Sequence, residues 1–237
     1  MSAPLRLGIA GLGTVGVGVV KIIAEKAALL RQRTGREIVI TAVSARSAQK
    51  DRGIDLAPYA WEADPVALAK RPDVDIFVEL MGGHEGPAKE ATEAALNAGK
   101  DVVTANKALL AHHGQKLAEK AENGGKVLRF EAAVAGGIPV VKALTEGLAG
   151  NDITRILGVM NGSCNYILTR MQTAGLSYAD VFAEAEALGY LEADPELDVG
   201  GIDAGHKLAL LSSIAYGTAV NFEGVELEGI GQISIND

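Results

Sequence analysis

Leu5-Arg6-Leu7-Gly8-Ile9-Ala10-Gly11-Leu12-Gly13-Thr14-Val15-Gly16 is the stretch on which the reading of the fold turns. An apolar run of strand length, Leu5–Ala10, passes directly into a GxGxxG pattern (Gly11, Gly13, Gly16), and a helical pattern follows from Thr14. Alone, GxGxxG is weak, because glycine turns also form for purely structural reasons. Placed between a strand and a helix it reads as a dinucleotide site. Gly11 permits the tight turn, Gly13 lets the backbone approach a pyrophosphate, and Gly16 lets helix and strand pack closely. The helix start offers unpaired N–H groups to the phosphates.

Outward from this unit the alternation continues. Ile38–Val43, Asp75–Met81, Asp101–Thr104 and Lys126–Ala133 read as further strands, with helices expected over 14–33, 64–70, 86–98 and 107–122. Glycines close these helices at Gly35, Gly99 and Gly124-Gly125, as C-terminal caps do. The βαβα rhythm implies an α/β protein with a Rossmann-type doubly wound parallel sheet. After Gly136-Gly137-Ile138-Pro139 the rhythm changes to one strand, Ile153–Met160, and helices over 164–173, 178–188 and 203–216, with one or two strands expected in Val220–Asp237. We therefore expect a dinucleotide-binding domain over 1–136 and a second, smaller α+β domain over 137–237.

Composition bounds the rest. Of 237 residues, 48% are apolar but only 4% aromatic, so a sizeable core must be built from aliphatic side chains, as suits strands covered by helices. The net charge of -8, with no Lys/Arg block, argues against a nucleic-acid partner. No run reaches the roughly 18 apolar residues of a membrane span, and Met1–Pro4 leads into the first strand without a signal-peptide pattern. A soluble cytoplasmic protein is expected. The single cysteine, Cys164, fits a reducing compartment, and without an adjacent histidine it reads as a buried, inert thiol rather than a nucleophile. The four histidines show no zinc-ligand spacing and read as polar surface or helix-face residues.

Cofactor choice is read at the end of the second strand. An Asp or Glu there would bind a free ribose 2′-hydroxyl; the chain instead has Arg46 and Ser47, with Lys50 and Arg52 nearby. That set suits a 2′-phosphate, so NADP is preferred over NAD, with a solvated Arg46 as the plainer alternative.

Two more blocks bear chemistry. In Val103-Thr104-Ala105-Asn106-Lys107 a strand gives way to a helix with a lysine at the junction, the end of a parallel strand where ligands bind. In Gly189–Lys207, a glycine-broken acidic loop carrying Glu192, Asp194 and Asp198 leads into a helix on which Asp203 and Lys207 lie four apart, on one face. An ordinary surface ion pair is the plain alternative; the loop in front of the pair shifts the balance.

Gly8–Gly16, Val103–Leu110, Glu131–Pro139, Gly158–Leu168 and Gly189–Lys207 together resemble the homoserine dehydrogenases. The resemblance implies NAD(P)-dependent interconversion of L-homoserine and L-aspartate 4-semialdehyde on the route to threonine, methionine and isoleucine. It implies Lys207 as the acid/base, Lys107 as a second active-site lysine against the cofactor, and Glu192 and Asp203 as substrate-binding acids; Asp198 of the acidic loop is read beside them as a third. Cofactor contacts are implied at Thr14, Val15, Lys107 and Gly189; the reading of the residues themselves adds Gly11, Gly13 and Gly16 of the glycine turn, Arg46 and Ser47 after the second strand, and Thr104 at the strand end before Lys107. A monovalent cation, sodium, is implied at Glu131 with the carbonyls of Val134, Gly136 and Ile138, and a homodimer through the second domain. Chains of the family run on past the point that matches Asp237, so the second domain is expected to be incomplete at its C-terminal side. The alternative is a catalytically silent dinucleotide-binding fragment or sensor. No amino-acid-binding regulatory module is legible.

Overall fold

The computed structural model describes residues 3–191 and 194–237. The chain divides into two compact units, Met1–Val140 and Val141–Asp237. In the first, β1 (Leu5–Ala10), β2 (Ile38–Ser44), β3 (Ala60–Trp61), β4 (Ile76–Glu79), β5 (Asp101–Thr104) and β6 (Leu128–Arg129) form one sheet in the order β3-β2-β1-β4-β5-β6. Every pairing is parallel. Consecutive side chains of a strand face opposite sides, and the core shows it. Ile9, Val43 and Val78 enter one apolar cluster, while their neighbours Ala10, Ala42 and Phe77 enter the other. The first cluster is closed by Val20 of α1 (Thr14–Glu25); the second by Leu68 of α3 (Pro65–Lys70), Ala91 and Ala95 of α4 (Pro87–Asn97) and Leu109 and Leu117 of α5 (Lys107–Asn123).

The strand order reverses between β1 and β4, and such a reversal opens a crevice at the carboxyl ends of the strands. At the opposite end of the sheet the Arg6 guanidinium holds Asp75 at 2.6 and 3.0 Å, which pulls the carboxyl down to about 2.

In this unit two expectations are corrected and one strand is added. The helix expected over 14–33 is two, α1 and α2 (Ala27–Thr34), broken at Lys26. No residue of α2 is buried, so the apolar stripe of α1 has no continuation to keep the second half in line. The strand expected over Lys126–Ala133 is reduced to β6, because Glu131–Val134 winds into the short helix α6. Ala60–Trp61 forms an edge strand that was not anticipated, since two residues carry no readable period.

In the second unit the short helix α7 (Val140–Lys142) runs into a π-helical turn, Ala143–Gly147. Then α8 (Gly162–Ala174) and α9 (Tyr178–Ala187) pack Ile167 and Met171 against Val181 and Ala185. The turn between them is set by Gly175 at φ 68° and by Ser177, whose hydroxyl caps α9. The short α10 (Glu196–Val199) precedes α11 (Ile202–Tyr216). Neither Ile153–Met160 nor Val220–Asp237 forms a strand among the described residues. The first is rich in aliphatic residues, yet Leu157 and Val159 are 82% and 79% exposed. A strand exists only with a partner to complete its ladder, and no described segment supplies one.

Candidate active site

In the second unit the chemistry gathers at the start of α11. Gly201, at φ 82°, admits the chain to that helix, and Asp203 in its first turn is 4% exposed. Lys207, one turn on, donates to Asp203 Oδ2 at 2.6 Å and to the Met160 carbonyl at 2.8 Å. An ammonium has three N–H donors, so among the described residues one remains for a substrate oxygen.

Asn161 organises the acids. Its Oδ1 caps α8 by accepting from the Cys164 N–H at 2.8 Å, while Nδ2 donates to Asp198 Oδ1 at 2.8 Å and to Asp203 Oδ2 at 3.0 Å. Two buried carboxylates and one lysine are thus tied together by an amide that sequence reasoning did not single out. Its capping half was legible as Asn-Gly-Ser before an apolar helix. Its bridging half was not, because the acids lie 37 and 42 positions away. Asp198 sits on α10, where a loop was expected. Glu192 lies outside the described residues. Gly189 follows α9 at φ 72° and is exposed. His206, expected at a surface or on a helix face, is 6% exposed and packs on Phe222 at 4.4 Å between ring centres.

Cys164 donates through Sγ to the Asp198 carbonyl at 3.2 Å. Burial first, then the charges of Asp198 and Asp203, push its thiol up to about 11. A thiolate is therefore scarce at neutral pH, and alkylation by iodoacetamide should be slow there, rising about tenfold per pH unit below that value. Fast alkylation at neutral pH, or loss of turnover in Cys164→Ser, would count against the inert reading.

In the first unit, Gly11 takes φ 99°, and a Cβ there would lie 2.3 Å from the Leu80 carbonyl oxygen. The absence of a side chain lets the glycine turn rest on the backbone that follows β4. A Cβ on Gly16 would lie 2.0 Å from the Gly11 oxygen, whereas one on Gly13 would meet nothing within 4 Å. Gly13, Thr14 and Val15 are exposed, no side chain caps α1, and no acid stands in its first turn. Such a helix start, open and free of competing negative charge, fits a pyrophosphate. Lys107 is the first residue of α5, behind Asn106, whose Oδ1 accepts from the Leu109 N–H at 3.0 Å.

Arg46 and Ser47 are exposed beyond β2. Arg52, expected among the charges near a 2′-phosphate, is otherwise engaged. Its guanidinium donates to the carbonyls of Leu12, Lys50 and Ser47 at 3.2, 2.8 and 2.6 Å and lies 5.9 Å from the centre of the Trp61 ring. It straps the loop to the glycine turn instead of offering itself to a ligand. Glu131 opens α6; Val134 is buried, and Gly136 and Ile138 are exposed in the turn that follows. Among the described residues no three His, Cys, Asp or Glu side chains come together as a metal-binding group, and no helix is long and apolar enough to cross a membrane.

A parallel sheet in this order, a glycine turn open to phosphate and a unit in which a half-buried lysine meets buried carboxylates define a dinucleotide-binding protein of the Rossmann class. Residues 11–131 match the family model described as the NAD binding domain of homoserine dehydrogenase, and residues 139–237 match that of homoserine dehydrogenase itself. The chain belongs to the homoserine dehydrogenase family. It is 48% identical to the homoserine dehydrogenase of Neisseria gonorrhoeae over 234 residues, which is 99% of this chain and 53% of that protein. Against the Pseudomonas aeruginosa enzyme the identity is 45%, with the same coverage. The crystal structure of a homoserine dehydrogenase from Thiobacillus denitrificans superposes with a TM-score of 0.94 at 43% identity, over 99% of this chain and 54% of that one. A hyperthermophilic archaeal homoserine dehydrogenase in complex with NADPH superposes at 0.84, with 30% identity, over 97% of this chain and 75% of that one. The chain spans about half the length of the curated relatives it matches.

Proposed function

We propose that this chain interconverts L-homoserine and L-aspartate 4-semialdehyde with NADP preferred over NAD, within the biosynthesis of threonine, methionine and isoleucine. The observation that carries the reading is Lys207, held by Asp203 and the Met160 carbonyl, with one N–H left over among the described residues. Bound nicotinamide supplies or takes the hydride. As an aldehyde is reduced its oxygen gains negative charge, which the Lys207 ammonium stabilises and then protonates; in the reverse direction the free amine takes the hydroxyl proton. Because that proton is a product of oxidation, raising the pH favours homoserine oxidation and lowering it favours reduction. Asp203, Asp198 and Glu192 supply negative charge for the substrate ammonium.

Gly11, Gly13, Thr14, Val15 and Gly16 would hold the pyrophosphate, with Thr104, Lys107 and Gly189 as further cofactor contacts. Arg46 and Ser47, exposed and adjacent, would take the 2′-phosphate, which is the ground for preferring NADP; the NADPH bound by the archaeal relative agrees with it. Sodium would be held by Glu131 and the carbonyls of Val134, Gly136 and Ile138. These lie in one short segment and offer only hard oxygens; the Ile138 carbonyl accepts from Val140 N–H at 2.8 Å but keeps a second lone pair. A homodimer through the second unit and a cytoplasmic setting complete the reading.

The test is loss of absorbance at 340 nm with aspartate 4-semialdehyde and NADPH or NADH. Consumption of NADPH ahead of NADH supports the reading. If neither is consumed while NADPH still quenches protein fluorescence, the chain binds the cofactor without turning it over, and the catalytic assignment falls.

A further inference from the structure

Glu79 closes β4 with none of its surface accessible. One of its oxygens accepts the Met81 N–H at 2.7 Å and the Gly82 N–H at 3.3 Å; the other accepts the Thr104 hydroxyl at 2.6 Å. Thr104 Oγ1 in turn accepts the Asn106 N–H at 2.9 Å, and Asn106 Nδ2 donates to the Gly83 carbonyl at 2.6 Å. The hydrogen bonds therefore close a ring between the loop after β4 and the junction of β5 with α5, where Lys107 stands. The glycine turn joins it, because Leu80, the residue on which Gly11 rests, donates to the Ala10 carbonyl at 2.7 Å.

Burying a carboxylate among neutral donors is costly, and holding a loop would need only a neutral acceptor. What the charge adds is direction. A carboxylate accepts from all three donors at once, which compels the Thr104 hydroxyl to give its proton to Glu79 and turn its lone pairs to Asn106. An amide would point N–H at Thr104 Oγ1, which would then face two donors and lose its own acceptor. The loops so held flank the β1/β4 reversal, where a dinucleotide lies.

We propose that Glu79 is a positioning residue of the cofactor site, setting the backbone on which the nicotinamide dinucleotide rests without touching it. This rests on the cofactor reading above. The test compares the unaltered chain with Glu79→Gln, Thr104→Val and the double variant, by NADPH fluorescence titration and thermal unfolding. Glu79→Gln is expected to weaken NADPH binding about tenfold, by more than any fall in folded fraction seen in thermal unfolding accounts for. Thr104→Val should weaken it to a similar degree, and the double variant should be no worse than either alone, since both break one ring. NADPH affinity within twofold of the unaltered chain in Glu79→Gln overturns the proposal. So does a loss of binding that merely follows a fall in folded fraction, or losses that add in the double variant. If the unaltered chain binds neither NADPH nor NADH, the cofactor reading falls and the proposal with it; normal binding by both chain and variant removes Glu79 alone.

Discussion

Lys207→Ala is expected to lower kcat for the NADPH-dependent reduction of aspartate 4-semialdehyde by about a thousandfold or more, the combined worth of a proton donor and an electrostatic stabiliser. The alanine also strips Asp203 of its cation, and breaking a buried pair in this way costs about 3 kcal/mol or more, so the unit loses stability as well as chemistry. Lys207→Arg separates the two. Arginine keeps the charge beside Asp203 but does not give up a proton, so Tm should hold while turnover falls. NADPH affinity should stay within about twofold in both variants, because the phosphates are held by the glycine turn and the open start of α1 and not by Lys207. Turnover in Lys207→Arg above a tenth of that of the unaltered chain would remove Lys207 from the role of acid.

Asp203 should show the next largest effect, and its two substitutions should fail in different ways. Its Oδ2 receives both Lys207 and Asn161, so Asp203→Leu leaves the half-buried Lys207 and the buried Asn161 each short of an acceptor and should destabilise the chain by about 3 kcal/mol. Asp203→Asn keeps an acceptor of the same shape and removes the charge. Stability should change little, while kcat falls about a hundredfold and KM for homoserine rises, since a carboxylate facing the substrate ammonium is lost. Urea unfolding beside steady-state kinetics distinguishes these. If Asp203→Asn loses stability but keeps kcat, the carboxylate is only a structural partner of Asn161.

Legibility followed distance along the chain. The Asp203–Lys207 pair could be read because both residues sit one helical turn apart, and a helix brings i and i+4 together whatever surrounds it. The glycine turn could be read because the demands on Gly11, Gly13 and Gly16 arise within a dozen residues. Parallel strands were legible from near-continuous apolar runs, since a strand covered on both faces has no polar side to show. The Ile153–Met160 expectation failed for the complementary reason: an apolar run states that a segment could be buried, not whether a neighbour exists to pair with it.

By itself the sequence determined the α/β class and the cofactor turn, because these follow from local periodicity and local backbone geometry, while its resemblance to a family singled out the lysine of the proposed chemistry. Only the tertiary structure decided that Asn161 joins Asp198 to Asp203, that Arg52 is spent on three carbonyls, and that Glu79 ties the ends of β4 and β5 together. Apart from the short reaches of Arg52 to Lys50 and Ser47, each of these is a hydrogen bond between groups far apart in sequence, and its partners are chosen by where the packed core places the ends of strands and helices. No spacing along the chain records that placement.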